Sequence, residues 1–127
     1  VPLSPESINM IGRMEISSMK PNVLLVNTSR GGIMNEYDLA NALTSGRIGG
    51  AAIDVFEEEP YKGPLTSIDK CLLTAHLGPL SVDCRNRMER EATEDVVRFF
   101  TGQPLQNEVP ALEFHMQKMH TMGGISK

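Results

Sequence analysis

Three short apolar runs, each ending on a polar residue able to do chemistry, constrain this chain more than any other feature. Val23-Leu24-Leu25-Val26-Asn27 leads into Thr28-Ser29-Arg30-Gly31-Gly32. Ala51-Ala52-Ile53-Asp54-Val55-Phe56 leads into Glu57-Glu58-Glu59-Pro60, and Cys71-Leu72-Leu73-Thr74-Ala75 ends at His76-Leu77-Gly78. Apolar runs of this length, the first two joined through a helix-patterned segment, read as parallel strands buried on both faces. In open parallel sheets, ligands bind beyond the carboxyl ends of the strands. The pattern therefore predicts that Arg30, Asp54, Glu59 and His76 converge on one cleft, far apart in sequence as they are.

The segments between the runs carry helix punctuation. Ser4 as cap, Pro5 in the first helical position and Glu6 in the first turn predict a helix start, with Gly12 dividing the segment into two short helical pieces. Lys20-Pro21-Asn22 stops the second piece. Asn35 is a good N-cap, Leu39 and Leu43 share one face with Ala40 and Ala42, and Gly46 fits the position after the helix end. Strand, helix, strand makes a βαβ unit. Residues 57–70 form a long polar loop of the kind that often carries function. A long helix then starts at Ser81. Its stripe of Cys84, Met88, Ala92, Val96 and Phe100, with Phe99 beside it, reads as core packing, and Gly102 and Pro104 end it. Beyond it, Leu112, Met116 and Met119 outline a short amphipathic helix. His115 and His120 are five apart, off the spacing that pairs ligands, and read as solvent-facing; Gly123-Gly124 reads as a frayed end.

Composition sets the outer bounds. A chain of 127 residues can bury one modest core. With 22% charged residues and a formal net charge of −4, it has no basic patch for nucleic acid or an anionic membrane. No apolar run approaches the ~20 residues a bilayer span needs. There is no signal-peptide pattern and the first residue is Val, so the expectation is a piece of a longer, cytoplasmic chain. Cys71 and Cys84 read as reduced, buried thiols. Cys71, His76 and Cys84 lack the paired spacing of a zinc site, so no metal is expected.

The three strand ends suit a small 2-oxo acid. Arginine grips a carboxylate in bidentate fashion, which selects Arg30. A histidine can give its proton to the carbonyl oxygen as hydride arrives at carbon, which selects His76. A carboxylate beside the imidazole fixes its tautomer, which selects Glu59. Asp54 is placed to accept a hydrogen bond from a nicotinamide amide or ribose, and Gly31, Gly32 and Gly78 would let backbone approach a ligand closely. Each residue has a duller reading: Arg30 as a surface charge or phosphate holder, Glu57 to Glu59 as a solvated acidic run, His76 as structural. Their joint position at successive strand ends favours the cleft.

These residues also carry a resemblance. Val26-Asn27-Thr28-Ser29-Arg30-Gly31-Gly32, followed by Asn35-Glu36 and Leu39, resembles the arginine motif of the D-isomer-specific 2-hydroxyacid dehydrogenases. Gly50 to Pro60 resembles their glutamate motif, Leu73-Thr74-Ala75-His76-Leu77-Gly78 their histidine motif, and Pro2-Leu3-Ser4-Pro5-Glu6 an upstream cofactor-loop motif. The likeness runs from Val1 to about Val109. It departs from the family at Ala75, where proline is common, and at Pro79-Leu80, where small residues are.

The resemblance implies an α/β fold: part of a Rossmann-like parallel sheet with flanking helices, followed by a long C-terminal helix. Residues 1–80 would be the second half of an NAD-binding domain, 81–109 the long helix returning toward a substrate domain, and 110–127 a tail. It implies catalytic roles for Arg30, Glu59 and His76. Thr28, Ser29, Arg30, Asp54, His76 and Gly78 would line the nicotinamide side of a site for NAD, with NADP left open. The implied activity interconverts a D-2-hydroxy acid and its 2-oxo acid, 3-phosphoglycerate being the narrower candidate, in a homodimer. Corepressors related to the family offer an alternative, NAD(H)-dependent assembly without turnover. No G-x-G-x-x-G occurs in the chain, so the 127 residues alone are expected to be inert.

Overall fold

The computed structural model of the chain describes residues 1–109 and residue 111. It divides into two compact units, Val1–Leu77 and Gly78–Lys127. The expectations for Leu112, Met116, Met119, His115, His120 and Gly123-Gly124 lie outside the described residues.

The first unit is built on a parallel sheet. β1 (Leu24–Asn27), β2 (Gly50–Ile53) and β3 (Cys71–Leu73) lie in the order β1-β2-β3. Val26 aligns with Ala52 and Leu72, and Asn27 with Ile53 and Leu73. This register brings the three carboxyl ends to one edge of the sheet. Two helices precede β1 and β2, α1 (Arg13–Ser18) and α2 (Glu36–Thr44).

Alternation along the strands decides what is buried. Leu25, Ala51, Ile53, Cys71 and Leu73 point into a core shared with Ile16, Leu39, Leu43, Ile48 and Leu65. On the other face Leu24, Val26 and Leu72 are 71%, 63% and 65% exposed. The expectation of strands buried on both faces is therefore wrong for this chain. Side chains alternate across a strand, and within this unit the packing layer covers one face only.

The helix boundaries follow from side-chain chemistry. The Asn35 side chain accepts from the Asp38 N–H at 3.0 Å, capping α2. At its other end Gly46 takes a φ of +71°, its N–H reaches the Leu43 carbonyl at 3.1 Å, and the Arg47 N–H reaches that of Ala42 at 2.9 Å. That is the paired closure a left-handed residue makes possible. The Arg47 guanidinium then turns to the end of α1, donating to the carbonyls of Ser17 at 2.5 Å and of Met19.

Two expectations near the N-terminus are revised. Residues 5–9 form hydrogen-bonded turns rather than a helix, with the Ser7 and Ile8 amides sharing the Ser4 carbonyl at 3.0 Å. The Ser7 hydroxyl is drawn to the Pro2 carbonyl instead, so the side chains compete with a helical ladder. Gly12 divides the segment by standing as the N-cap of α1, where the Glu15 carboxylate accepts from its N–H at 3.0 Å. The long loop, too, contains more structure than its polarity implies. A 3-10 turn, Pro64–Ser67, sinks Leu65 into the core, and the Tyr61 ring stacks on Phe56 at 4.4 Å.

In the second unit α3 (Val82–Phe100) is capped by Ser81, which accepts from the Cys84 N–H at 3.2 Å. None of its residues is buried. Met88, Val96, Phe99 and Phe100 are exposed, Phe100 to 81%, so the stripe read as core packing is not core among the described residues. Cys71 and Cys84 are free and half-buried rather than buried, Cys71 lying on an edge strand and Cys84 in the opening turn of α3. Burial raises the Cys71 thiol pKa. No helix among the described residues is long and apolar enough to cross a membrane.

After α3 the chain folds back on Asp95. Its carboxylate accepts from the Gln106 and Asn107 N–H groups at 2.8 and 2.9 Å. The Gln106 amide is the main cause holding this carboxyl below the ordinary range, with Asn107 and the Arg98 charge adding to it.

Two outcomes are expected. Leu39→Ala, at a site 1% exposed in the centre of α2, lowers unfolding free energy by about 2–5 kcal/mol in denaturant titration. The Asp95 fold-back depends on pH with a definite sign. Because the folded pKa is depressed, the unfolded chain binds more protons between the two values. The stabilisation is therefore fully present above the ordinary carboxylate pKa and lost as pH falls through the folded one. Amide chemical shifts of Gln106 and Asn107 followed on acidification should move only below the ordinary carboxylate range.

Candidate active site

The carboxyl edge of the sheet is assembled by hydrogen bonds that run from strand to strand. Asn27, the last residue of β1, is buried, and its side chain organises the loop after it. Its Oδ1 accepts from the Ser29 N–H at 3.1 Å and the Ser29 hydroxyl at 2.7 Å, and its Nδ2 donates to the Arg30 carbonyl at 3.0 Å. The polar end of an otherwise apolar run was the signal for this turn, since Asn readily bonds backbone two or three residues on. Arg30 is exposed, and its Nη1 donates to the Ser29 carbonyl at 2.8 Å. Thr28 is exposed and Ser29 half-buried beside it.

Asp54 directly follows β2 and is buried. Its N–H donates to the Asn27 carbonyl at 3.0 Å, linking it to β1. On the β3 side, its Oδ1 accepts from the Thr74 hydroxyl at 2.5 Å and the Leu77 N–H at 2.8 Å, while its carbonyl accepts from the His76 N–H at 2.9 Å. His76 adopts a φ of +52°, the left-handed region that costs a side-chain-bearing residue about 1–2 kcal/mol. Backbone of this kind persists where its surroundings over-determine it.

The imidazole meets the glutamate loop. His76 Nδ1 lies 3.2 Å from Glu59 Oε2, and Glu59 Oε1 accepts from the Phe56 N–H at 3.2 Å. Both side chains are a little under half exposed, 44% and 42%. A pair so open to water contributes at most about 1 kcal/mol to stability, so its consequence is orientation of the ring. The glutamate loop is fixed in turn by Glu36, whose Oε1 accepts from the Glu57 N–H at 2.9 Å. Burial raises the Glu36 carboxyl pKa, the Glu57 charge adds to the rise and the Glu57 amide works against it.

Of the residues selected by sequence, Glu59 and His76 are in direct contact, and Asp54 holds the loop that carries His76. Arg30 stands at the same sheet edge, at the end of the neighbouring strand. Gly78 opens a 3-10 turn, Gly78–Leu80, in the second unit. The glycines of the arginine loop have a structural explanation that the ligand argument missed. A Cβ on Gly31 would collide with the Phe56 carbonyl, and Gly32 has a φ of +81°. Thr74 escaped the sequence reading because its partner, Asp54, is set by strand register, which the local sequence does not display. No group of three or more potential metal ligands occurs among the described residues.

The polar groups at this edge fit the nicotinamide end of a dinucleotide: a buried carboxylate at Asp54, exposed Thr28 and Arg30, and an oriented imidazole.

Residues 1–78 match the family model described as D-isomer specific 2-hydroxyacid dehydrogenase, NAD binding domain. The chain is 39% identical over 104 residues to a glyoxylate reductase of Thermococcus litoralis, covering 81% of this chain and 31% of that protein. It is 36% identical over 120 residues to a D-3-phosphoglycerate dehydrogenase of Methanocaldococcus jannaschii, covering 94% and 23%. Among solved structures, the NADPH-dependent glyoxylate/hydroxypyruvate reductase of Sinorhizobium meliloti superposes with a TM-score of 0.81 at 30% identity, covering 86% and 34%. The chain thus spans about a third or less of the length of these relatives. By the match over residues 1–78, the α/β sheet and the ordered motifs at its carboxyl edge, this chain belongs to the D-isomer specific 2-hydroxyacid dehydrogenases, within their NAD-binding domain.

Proposed function

We propose that the complete protein interconverts a D-2-hydroxy acid and its 2-oxo acid with NAD as the hydride carrier. The observation that carries this reading is the 3.2 Å contact of His76 Nδ1 with Glu59 Oε2 at the sheet edge that also bears Arg30. Glu59 directs the Nδ1 proton to itself, which assigns proton exchange with the substrate oxygen to His76 Nε2. As an oxo acid is reduced, His76 gives a proton to its oxygen; as a hydroxy acid is oxidised, His76 takes one back. Arg30 binds the substrate carboxylate, its fork fixing both position and orientation. Thr28, Ser29 and Asp54 line the nicotinamide side. When bound, the dinucleotide supplies or accepts the hydride. Glyoxylate, hydroxypyruvate and the oxo form of 3-phosphoglycerate are the substrates that the relatives' names put forward. On the family resemblance, the complete protein is a homodimer in the cytoplasm, residues 1–80 forming the cofactor half-domain and 81–109 the return toward the substrate domain.

The complete protein should consume NADH with one of these 2-oxo acids. His76→Ala should lower kcat by about 10²- to 10⁴-fold, the range of a lost general acid–base. Turnover that survives this substitution undiminished rejects the mechanism. The 127-residue chain by itself contains no diphosphate-binding glycine turn. Titrated with NADH, it should show no micromolar affinity by calorimetry, and such affinity would refute the dependence on that turn.

A further inference from the structure

We propose that Thr74 is a positioning residue for His76, acting through Asp54. For its kinetic consequences the inference rests on the dehydrogenase reading above; for its structural ones it does not.

The geometry is specific. The residues on either side of the Ala75-His76 pair are both bound by one oxygen: Asp54 Oδ1 accepts from the Thr74 hydroxyl at 2.5 Å and from the Leu77 N–H at 2.8 Å. Between them the His76 N–H is held by the Asp54 carbonyl at 2.9 Å, and the Thr74 N–H by the Ile53 carbonyl at 3.0 Å. Four hydrogen bonds thus fix a four-residue segment whose third member is a non-glycine residue at φ +52°. An isolated left-handed residue relaxes towards extended or helical backbone. Here that relaxation would swing the imidazole away from Glu59, 3.2 Å from its Nδ1. Asp54 is buried, so water cannot readily replace the Thr74 hydroxyl as a donor to its carboxylate. Leaving a buried acceptor short of a donor is costly. Thr74 itself need not touch the substrate: its hydroxyl faces the carboxylate that holds the loop.

Thr74→Val keeps the branched shape and removes the donor, whereas Thr74→Ser keeps the donor. Both variants are made in the complete protein and read in two ways: by crystallography for the His76 backbone and its separation from Glu59, and by kinetics. Thr74→Val is expected to release His76 from the left-handed region and lengthen the Nδ1–Oε2 contact. It should lower kcat about tenfold, the loss of one buried hydrogen bond, with little change in KM for the 2-oxo acid. Thr74→Ser should restore both. If Thr74→Val does not fold, Thr74→Ala takes its place with the same expectations. An unchanged His76 conformation in the variant that lacks the hydroxyl overturns the inference, as does a loss of kcat that Thr74→Ser fails to restore. Wild-type protein that turns over no 2-oxo acid would defeat the dehydrogenase reading, and the crystallographic comparison would still decide the role of Thr74.

Discussion

A single buried carboxylate couples the three strands to the loop that bears the imidazole. Asp54 binds β1 through its amide and the turn after β3 through both its carboxylate and its carbonyl. Parallel strands share no tight turn, so nothing local fixes the relative height of their ends. In this chain their register does, with Asn27, Ile53 and Leu73 level, and Asp54 carries that register one residue beyond the sheet. The consequence reaches the chemistry directly. Beside Glu59, the segment Thr74 to Leu77 that carries His76 is held to the end of β2 by these bonds.

The parts of this arrangement legible in the sequence were those that local chemistry decides. Asn35 and Ser81 cap helices because a short polar side chain can reach the free amides of the first turn, and each does so here. Gly46 closes α2 because a left-handed residue is needed there. The strand ends could be located, and in a parallel sheet their locations determine which residues share an edge. What eluded sequence reading depends on partners far along the chain. An apolar strand looks alike whether one face or two are covered, and Leu24, Val26 and Leu72 prove exposed. The Met and Phe stripe of α3 has the period of a packed helix, but period does not reveal what packs on it. The left-handed backbone of His76 has no local signal at all. The groups that bind the segment around it belong to Asp54, twenty-two residues upstream.

The candidate catalytic pair illustrates a division of labour between buried and exposed groups. Buried groups hold position: Asp54 and Asn27 are within the protein and satisfied by fixed donors and acceptors. The groups that would meet a substrate, Arg30, Glu59 and His76, stand in partial or full contact with solvent. A contact this exposed is weak in stability terms, so the fold does not depend on it. Were His76 and Glu59 buried as deeply as Asp54, each change of protonation would carry a desolvation cost of several kcal/mol.

The arginine and glutamate loops are bound together by a second constraint, which is steric. Gly31 passes so close to the Phe56 carbonyl that any side chain there would collide with it. The Glu57 amide just beyond is held by Glu36, at the start of the helix that follows the arginine loop. Phe56 also donates its own amide to Glu59, the residue that orients His76. Moving Arg30 outward by adding a methyl group at Gly31 would therefore push on Phe56, and through it on Glu59. The loop that carries Arg30 and the loop that carries Glu59 thus meet at one close backbone contact, which leaves no room for a side chain between them.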